Sequence, residues 1–134
     1  MIQTTKMKTS ELTGTLLNLA VARAIGKQVT VGKSLVGRNL IVRDRAGWPY
    51  DPSTRWDHGG PLLNSGAMLV GPSPYIQGWS LAGEGSDWES AKNVCSGNTP
   101  LVAIARSIVT KHFGVEIDIP TEVVFDLKLE VETC

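Results

Sequence analysis

Thr99-Pro100-Leu101-Val102-Ala103-Ile104-Ala105-Arg106-Ser107-Ile108-Val109-Thr110-Lys111-His112-Phe113-Gly114 runs directly into Val115-Glu116-Ile117-Asp118-Ile119. In the first run Leu101, Ile104, Ala105, Ile108 and Val109 recur at the helical period. Thr99 is a capping residue, and Pro100 suits the first helical position because its missing N–H would find no partner there. Gly114 supplies a natural stop. In the second run apolar and acidic residues alternate strictly, the pattern of a half-buried strand. This join of a helix to an alternating strand points to an α+β fold: a small antiparallel sheet packed against two main helices, with a long irregular central region.

Downstream, Val123, Phe125, Leu127, Leu129 and Val131 alternate with Val124, Asp126, Lys128, Glu130 and Glu132, predicting a C-terminal strand over 121–134. Such a strand needs a sheet or a partner subunit to pair with, so a homo-oligomer is expected. Upstream, Thr9 to Ile25 reads as the other main helix, with Thr9 or Ser10 as cap, Gly14 inside it and Gly26 as its end. Gln28–Val31 and Asn39–Arg43 read as a two-stranded antiparallel unit, and Ala67–Val70 and Trp79–Ala82 as short strands. The rest of 71–97 reads as a long loop, and Ser53 as the cap of a short turn through Trp56 that Gly59-Gly60-Pro61 breaks, with a second short turn following through Leu63.

The chain has 134 residues, of which 42% are hydrophobic and 19% charged. That is ordinary globular composition and fits one domain over 1–134. Thirteen Lys and Arg balance thirteen Asp and Glu, so duplex nucleic acid is not an expected partner. No apolar run is long enough for a membrane span and no signal-peptide pattern follows Met1, so the cytoplasm is the expected location.

Catalytic and metal chemistry find little support. The two histidines, His58 and His112, are far apart, and Cys95 and Cys134 lack metal-ligand spacing, so no metal and no cofactor are expected. No nucleophile elbow, phosphate loop or dinucleotide fingerprint is present. The adjacent Asp57 and His58 are the sole acid–base candidates, and the chain is read as a non-enzyme.

Two segments carry the binding expectation. Gly47 to Gly66 places Trp48, Tyr50 and Trp56 beside Asp51, Ser53, Thr54, Gly59 and Gly60, offering stacking rings, hydroxyls and closely approached backbone. Ser96-Gly97-Asn98-Thr99 leads into a helix N-terminus, where free N–H groups and the dipole favour anions, so Asn98 and Thr99 are phosphate candidates. Arg106 is added as a charge at the pocket edge, with Arg38, Arg43 and Arg45 as further sources. The opposing reading is that the tryptophans fill the interior and Thr99 simply caps.

Three ordered segments resemble the NinX-like family of small phage proteins, for which no reaction is established. They are Lys8-Thr9-Ser10-Glu11-Leu12-Thr13-Gly14 with Leu19-Ala20-Val21-Ala22; Asp51-Pro52-Ser53-Thr54-Arg55-Trp56 with Gly59-Gly60-Pro61-Leu62-Leu63; and Gly97-Asn98-Thr99-Pro100 through Arg106, ending at Gly114 and Val115. They cover residues 8 to about 120. Arg55 and His58 stand where the family pattern usually has an acid and a glutamine. The resemblance implies a phage accessory protein acting in the cytoplasm of an infected bacterium. By analogy with small phage proteins that counter host defence, it implies a binder that sequesters a nucleotide-like immune signal, an ADP-ribose derivative or a cyclic nucleotide. The competing expectations are a module that inhibits a host protein through its tryptophans and the Pro72-Ser73-Pro74-Tyr75 loop, and a small hydrolase using His58 and Asp57.

Overall fold

The computed structural model describes residues 3–33, 40–65 and 68–121. The expected C-terminal strand beyond Thr121, together with Arg38, lies outside these residues. The fold is α+β, as the helix–strand join indicated. The strands are β1 (Thr4–Lys8), β2 (Val29–Lys33), β3 (Leu40–Asp44), β4 (Met68–Pro72), β5 (Ser80–Glu84), β6 (Lys92–Gly97) and β7 (Glu116–Pro120). The helices are α1 (Gly14–Ala24), α2 (Trp56–Gly59) and α3 (Pro100–Phe113), with 3-10 turns at Thr9–Glu11 and Gly60–Ser65.

The sheet material forms three separate antiparallel ladders: β1 with β7, β2 with β3, and β4–β5–β6. α1 packs on β2 and β3, and the other two ladders rest on α3. α3 packs on β5 and β6 and against α1, and every residue from Leu101 to Val109 is buried. Thr99 caps it as expected, its hydroxyl accepting the Val102 amide at 3.2 Å, with Pro100 in the first turn. Leu12, Leu17 and Val21 join Ile104, Ile108 and Ile119 in one core. Among the described residues no helix is long and apolar enough to cross a membrane.

Four expectations need correction. The first main helix starts at Gly14, not Thr9, because Gly14 takes a φ of +54° that would interrupt a helix running through it. Thr9 is buried instead; its hydroxyl donates to the Gly114 carbonyl at 2.8 Å and accepts from Thr110 Oγ1 at 3.0 Å. The end of α1 does behave as read: Gly26 has φ +76°, and the Lys27 amide returns to the Ala22 carbonyl at 2.8 Å. Second, Ser53 caps nothing. α2 begins at Trp56, and the Ser53 amide is taken by Asn18 Oδ1 at 3.0 Å. Third, the second short turn runs beyond Leu63: α2 ends at Gly59 as read, and the 3-10 run that starts at Gly60 continues to Ser65. Fourth, 71–97 is not one loop: β6 fills its last six residues, with a register shift against β5 near Ala82 and Glu84.

Candidate functional site

The start of the segment, Trp48 to Tyr50, is folded back along β3. Asp44 holds the turn, its Oδ1 accepting the amides of Ala46 at 2.9 Å and Trp48 at 3.0 Å. The Tyr50 amide then donates to the Val42 carbonyl at 2.8 Å. Beyond it Asp51 organises the chain. Its Oδ1 accepts from Asn18 Nδ2 at 3.0 Å and from Ser53 Oγ at 3.3 Å, its Oδ2 from the Thr54 hydroxyl, and its amide donates to His58 Nδ1 at 2.9 Å. Buried polar groups of this kind cost free energy unless paired, and here each one has a partner.

This arrangement divides the aromatic segment between two hollows. The larger, of about 600 Å³, lies between the β3 turn and the α2–3-10 run, and takes Trp48, Tyr50, His58, Lys27, Asp44 and Asn64 into its lining. The Tyr50 ring stacks on the His58 imidazole with centroids 5.5 Å apart, and Lys27 Nζ stands 5.0 Å from its centroid. Asp57 also borders this hollow, but its carboxylate is gripped by the Arg55 guanidinium at 2.8 and 3.1 Å. Hydrogen bonding from Arg55 holds that carboxyl below the usual aspartate value. His58 Nε2 is 3.8 Å from it. A third hollow, of about 520 Å³, shares Lys27 and Asp44 with the first and has Arg45 in its wall.

The smaller site hollow, of about 380 Å³, lies where α1 and α3 begin. Thr13 and Gly14 border it from α1, Asn98 and Thr99 from α3, and Ser53, Thr54 and Trp56 from the intervening segment. Trp56 is 57% exposed there. None of the described residues that line it carries a charge. The α1 cap, Thr13, makes no side-chain capping bond, and the amides of Gly14, Thr15 and Leu16 meet no acceptor among the described residues.

Thus the structure brings Ser53, Thr54 and Trp56 together with Asn98 and Thr99, although they are separated by some forty positions in sequence. It does not bring Trp48 and Tyr50 to the same hollow. Gly59 sits inside: a Cβ on it would run into the Pro52 carbonyl and come within 2.6 Å of Leu101 Cδ2. Gly60 is more open, its nearest neighbour being Trp56 Cε3 at 3.9 Å. Arg106 turns inward and is buried, its Nε donating to the Leu12 carbonyl at 3.0 Å and its Nη1 to the Ser96 carbonyl at 2.7 Å. That burial lowers its pKa from the ordinary arginine value. Arg43 is likewise spent on its own hairpin, through the carbonyls of Gly47 and Lys33.

Sequence reasoning missed Thr13, Gly14, Lys27, Asn64 and Asn18. Asn18 left a signal, a polar residue between Leu17 and Leu19 on a buried helix face, and burial of that amide demands partners. Lys27 and Asn64 left none.

A search of curated proteins finds no match to the chain. A family model described as bacteriophage P22 NinX matches residues 8–112, a span that contains every residue named above in both site hollows. The chain belongs to this phage P22 NinX family.

Proposed function

We propose that this phage protein sequesters a small nucleotide-derived host signal, an ADP-ribose derivative or a cyclic nucleotide, without turning it over. The observation that carries the reading is the convergence of two helix N-termini and the exposed Trp56 ring on one uncharged hollow. Helix N-termini present outward N–H groups and the positive end of the dipole, which favour phosphate. The amides of Gly14 to Leu16, which meet no acceptor among the described residues, form the α1 N-terminus, and Gly14 lines the hollow as its nearest donor. At α3, Thr99 takes the Val102 amide and Pro100 has none, which leaves the Leu101 amide. Trp56 supplies a stacking face, worth about 1–3 kcal/mol for a base. The hydroxyls of Ser53 and Thr54 donate to Asp51, so toward a ligand they act as acceptors for ribose or amino protons.

Non-catalytic action is favoured by the commitments of the acid–base candidates. Asp57 is held by Arg55, and His58 Nδ1 is held by the Asp51 amide, with both residues bordering the other hollow. Under this proposal the protein works as a homo-oligomer in the cytoplasm of the infected host. Calorimetry against ADP-ribose derivatives and cyclic mono- and dinucleotides tests it. Binding by at least one, lost in Trp56→Ala, supports it. Silence across the panel, with Trp56→Ala leaving phage fitness intact, rejects it.

A module that docks on a host protein is the second reading, favoured by Tyr75, which is 87% exposed in the connection between β4 and β5. A stoichiometric host partner released by Tyr75→Ala would support it.

A further inference from the structure

We infer that the larger hollow, between the β3 turn and the α2–3-10 run, is a second and separate binding site, for an uncharged planar heterocycle such as a nucleobase or nucleoside. It shares no lining residue with the hollow at the starts of α1 and α3. Its size of about 600 Å³ is that of small-molecule sites.

The central observation is Tyr50. The residue is only 8% exposed, yet its hydroxyl meets no hydrogen-bond partner among the described residues. Buried tyrosine hydroxyls are ordinarily paired. No fully buried polar side-chain atom among the described residues is left without a partner, so this hydroxyl is an atom that solvent reaches on an otherwise enclosed ring, and Tyr50 lines the hollow. Burial pushes the phenol above its ordinary value, which keeps the O–H as a donor at neutral pH.

His58 supplies a second donor. Its Nδ1 accepts the Asp51 amide, so the proton of the neutral ring is on Nε2, which lies 3.8 Å from the Asp57 carboxylate. Asn64 offers both a donor and an acceptor at the edge. Trp48, 71% exposed, with Pro49 and Pro61, gives the apolar platform for a flat guest. The charges around the hollow offset one another: Lys27 lines it with Asp44, and Asp57 is neutralised by Arg55. A phosphate therefore meets no net attraction here. A neutral ring that offers carbonyl or ring-nitrogen acceptors to Tyr50 and His58, and stacks on Trp48, fits.

The test is a titration of the full chain with adenosine, guanosine, cytidine and uridine, and with their monophosphates, read by the indole N–H signals in proton–nitrogen NMR spectra. The Trp48 signal is assigned with Trp48→Phe. At least one nucleoside should shift it saturably, without a requirement for phosphate and without moving the Trp56 signal. Tyr50→Phe keeps the ring in place and should weaken that binding about fivefold, the effect of one neutral hydrogen bond. Trp48→Ala, a change on an exposed side chain that removes the reporter signal, should weaken binding further when read by calorimetry. The inference is overturned if no nucleoside moves the Trp48 signal, if Tyr50→Phe binds as tightly as the parent, or if the shifts fall on Trp56 alone. Because the α1–α3 hollow is read through Trp56, failure at one site leaves the other standing.

Discussion

The Asp51 amide donates to His58 Nδ1 at 2.9 Å while the carboxylate of the same residue holds the hydroxyls of Ser53 and Thr54. One aspartate thus fixes the donor tautomer on one side of the segment and the acceptor geometry on the other. The two hollows share no wall, yet both are set by this residue.

His58→Ala removes the acceptor for the Asp51 amide and the ring stacked on Tyr50. Urea unfolding should show a loss of about 1–2 kcal/mol with little change in the dependence on denaturant. An unchanged midpoint would mean that Asp51 does not depend on the imidazole.

Asn18→Leu should cost about 2–3 kcal/mol, because it leaves the buried Ser53 amide without an acceptor and takes one of three donors from the Asp51 carboxylate. The same denaturation experiment reads it. The expected companion effect is weaker binding at Trp56, since Ser53 and Thr54 lose their fixed positions.

Arg106→Met separates a structural from a ligand-binding role. Removing the guanidinium strands the Leu12 and Ser96 carbonyls, so stability should fall by about 2–3 kcal/mol. Ligand affinity, measured below the unfolding transition, should stay within about twofold of the parent, well under the tenfold that a 1.4 kcal/mol loss would give. A large affinity loss in a fully folded variant would restore Arg106 to the site.

Gly59→Ala and Gly60→Ala form a matched pair. The first places a methyl group against the Pro52 carbonyl and Leu101, and should destabilise by about 1–3 kcal/mol or more. The second meets only Trp56 Cε3 at 3.9 Å, an ordinary van der Waals contact, and should unfold within about 0.5 kcal/mol of the parent. Equal melting curves would contradict the packing described.

The pH prediction follows from Tyr50 and Cys95, both raised above their ordinary values by burial. A raised folded-state pKa contributes stability below the unfolded value and loses it as pH rises toward the folded one. Unfolding free energy should therefore fall above about pH 9, through the ordinary cysteine and tyrosine ranges. Tyr50→Phe should flatten the upper part of that fall; an identical profile in the variant would show that the phenol contributes nothing.

Much of the framework was legible in sequence where the signal is local. Thr99, Pro100 and Gly114 bound α3 by their own backbone chemistry, and Val31 opposite Val42 pairs two β-branched runs that stand out unaided. β1 and β6 were not legible. Thr-Thr-Lys-Met-Lys becomes a strand only because residues 116–120 lie beside it, and Lys-Asn-Val-Cys-Ser-Gly carries Asn93 at a φ of 56° and no clean alternation. The start of α1 was misplaced because Thr9 and Ser10 look like caps, while the deciding fact is a backbone angle at Gly14.

The candidate site was half legible. Composition marked Ser53, Trp56, Asn98 and Thr99, and the fold unites them. Proximity in sequence also grouped Trp48 and Tyr50 with Trp56, and the turn held by Asp44 sends them elsewhere. Arg106 shows the limit of reading charge alone: two backbone carbonyls, from residues far apart in sequence, claim its guanidinium.

The pairing of Thr4 with Pro120 and Lys8 with Glu116 sets an order of events during synthesis. The opening residues must wait, without a partner, until nearly all of the described chain has left the ribosome. Closing that long loop belongs to the late, slow part of folding. Up to that moment the first five-residue strand is available to proteases and to chaperones, so conditions that stall translation before Glu116 should send this protein to degradation rather than leave a usable fragment.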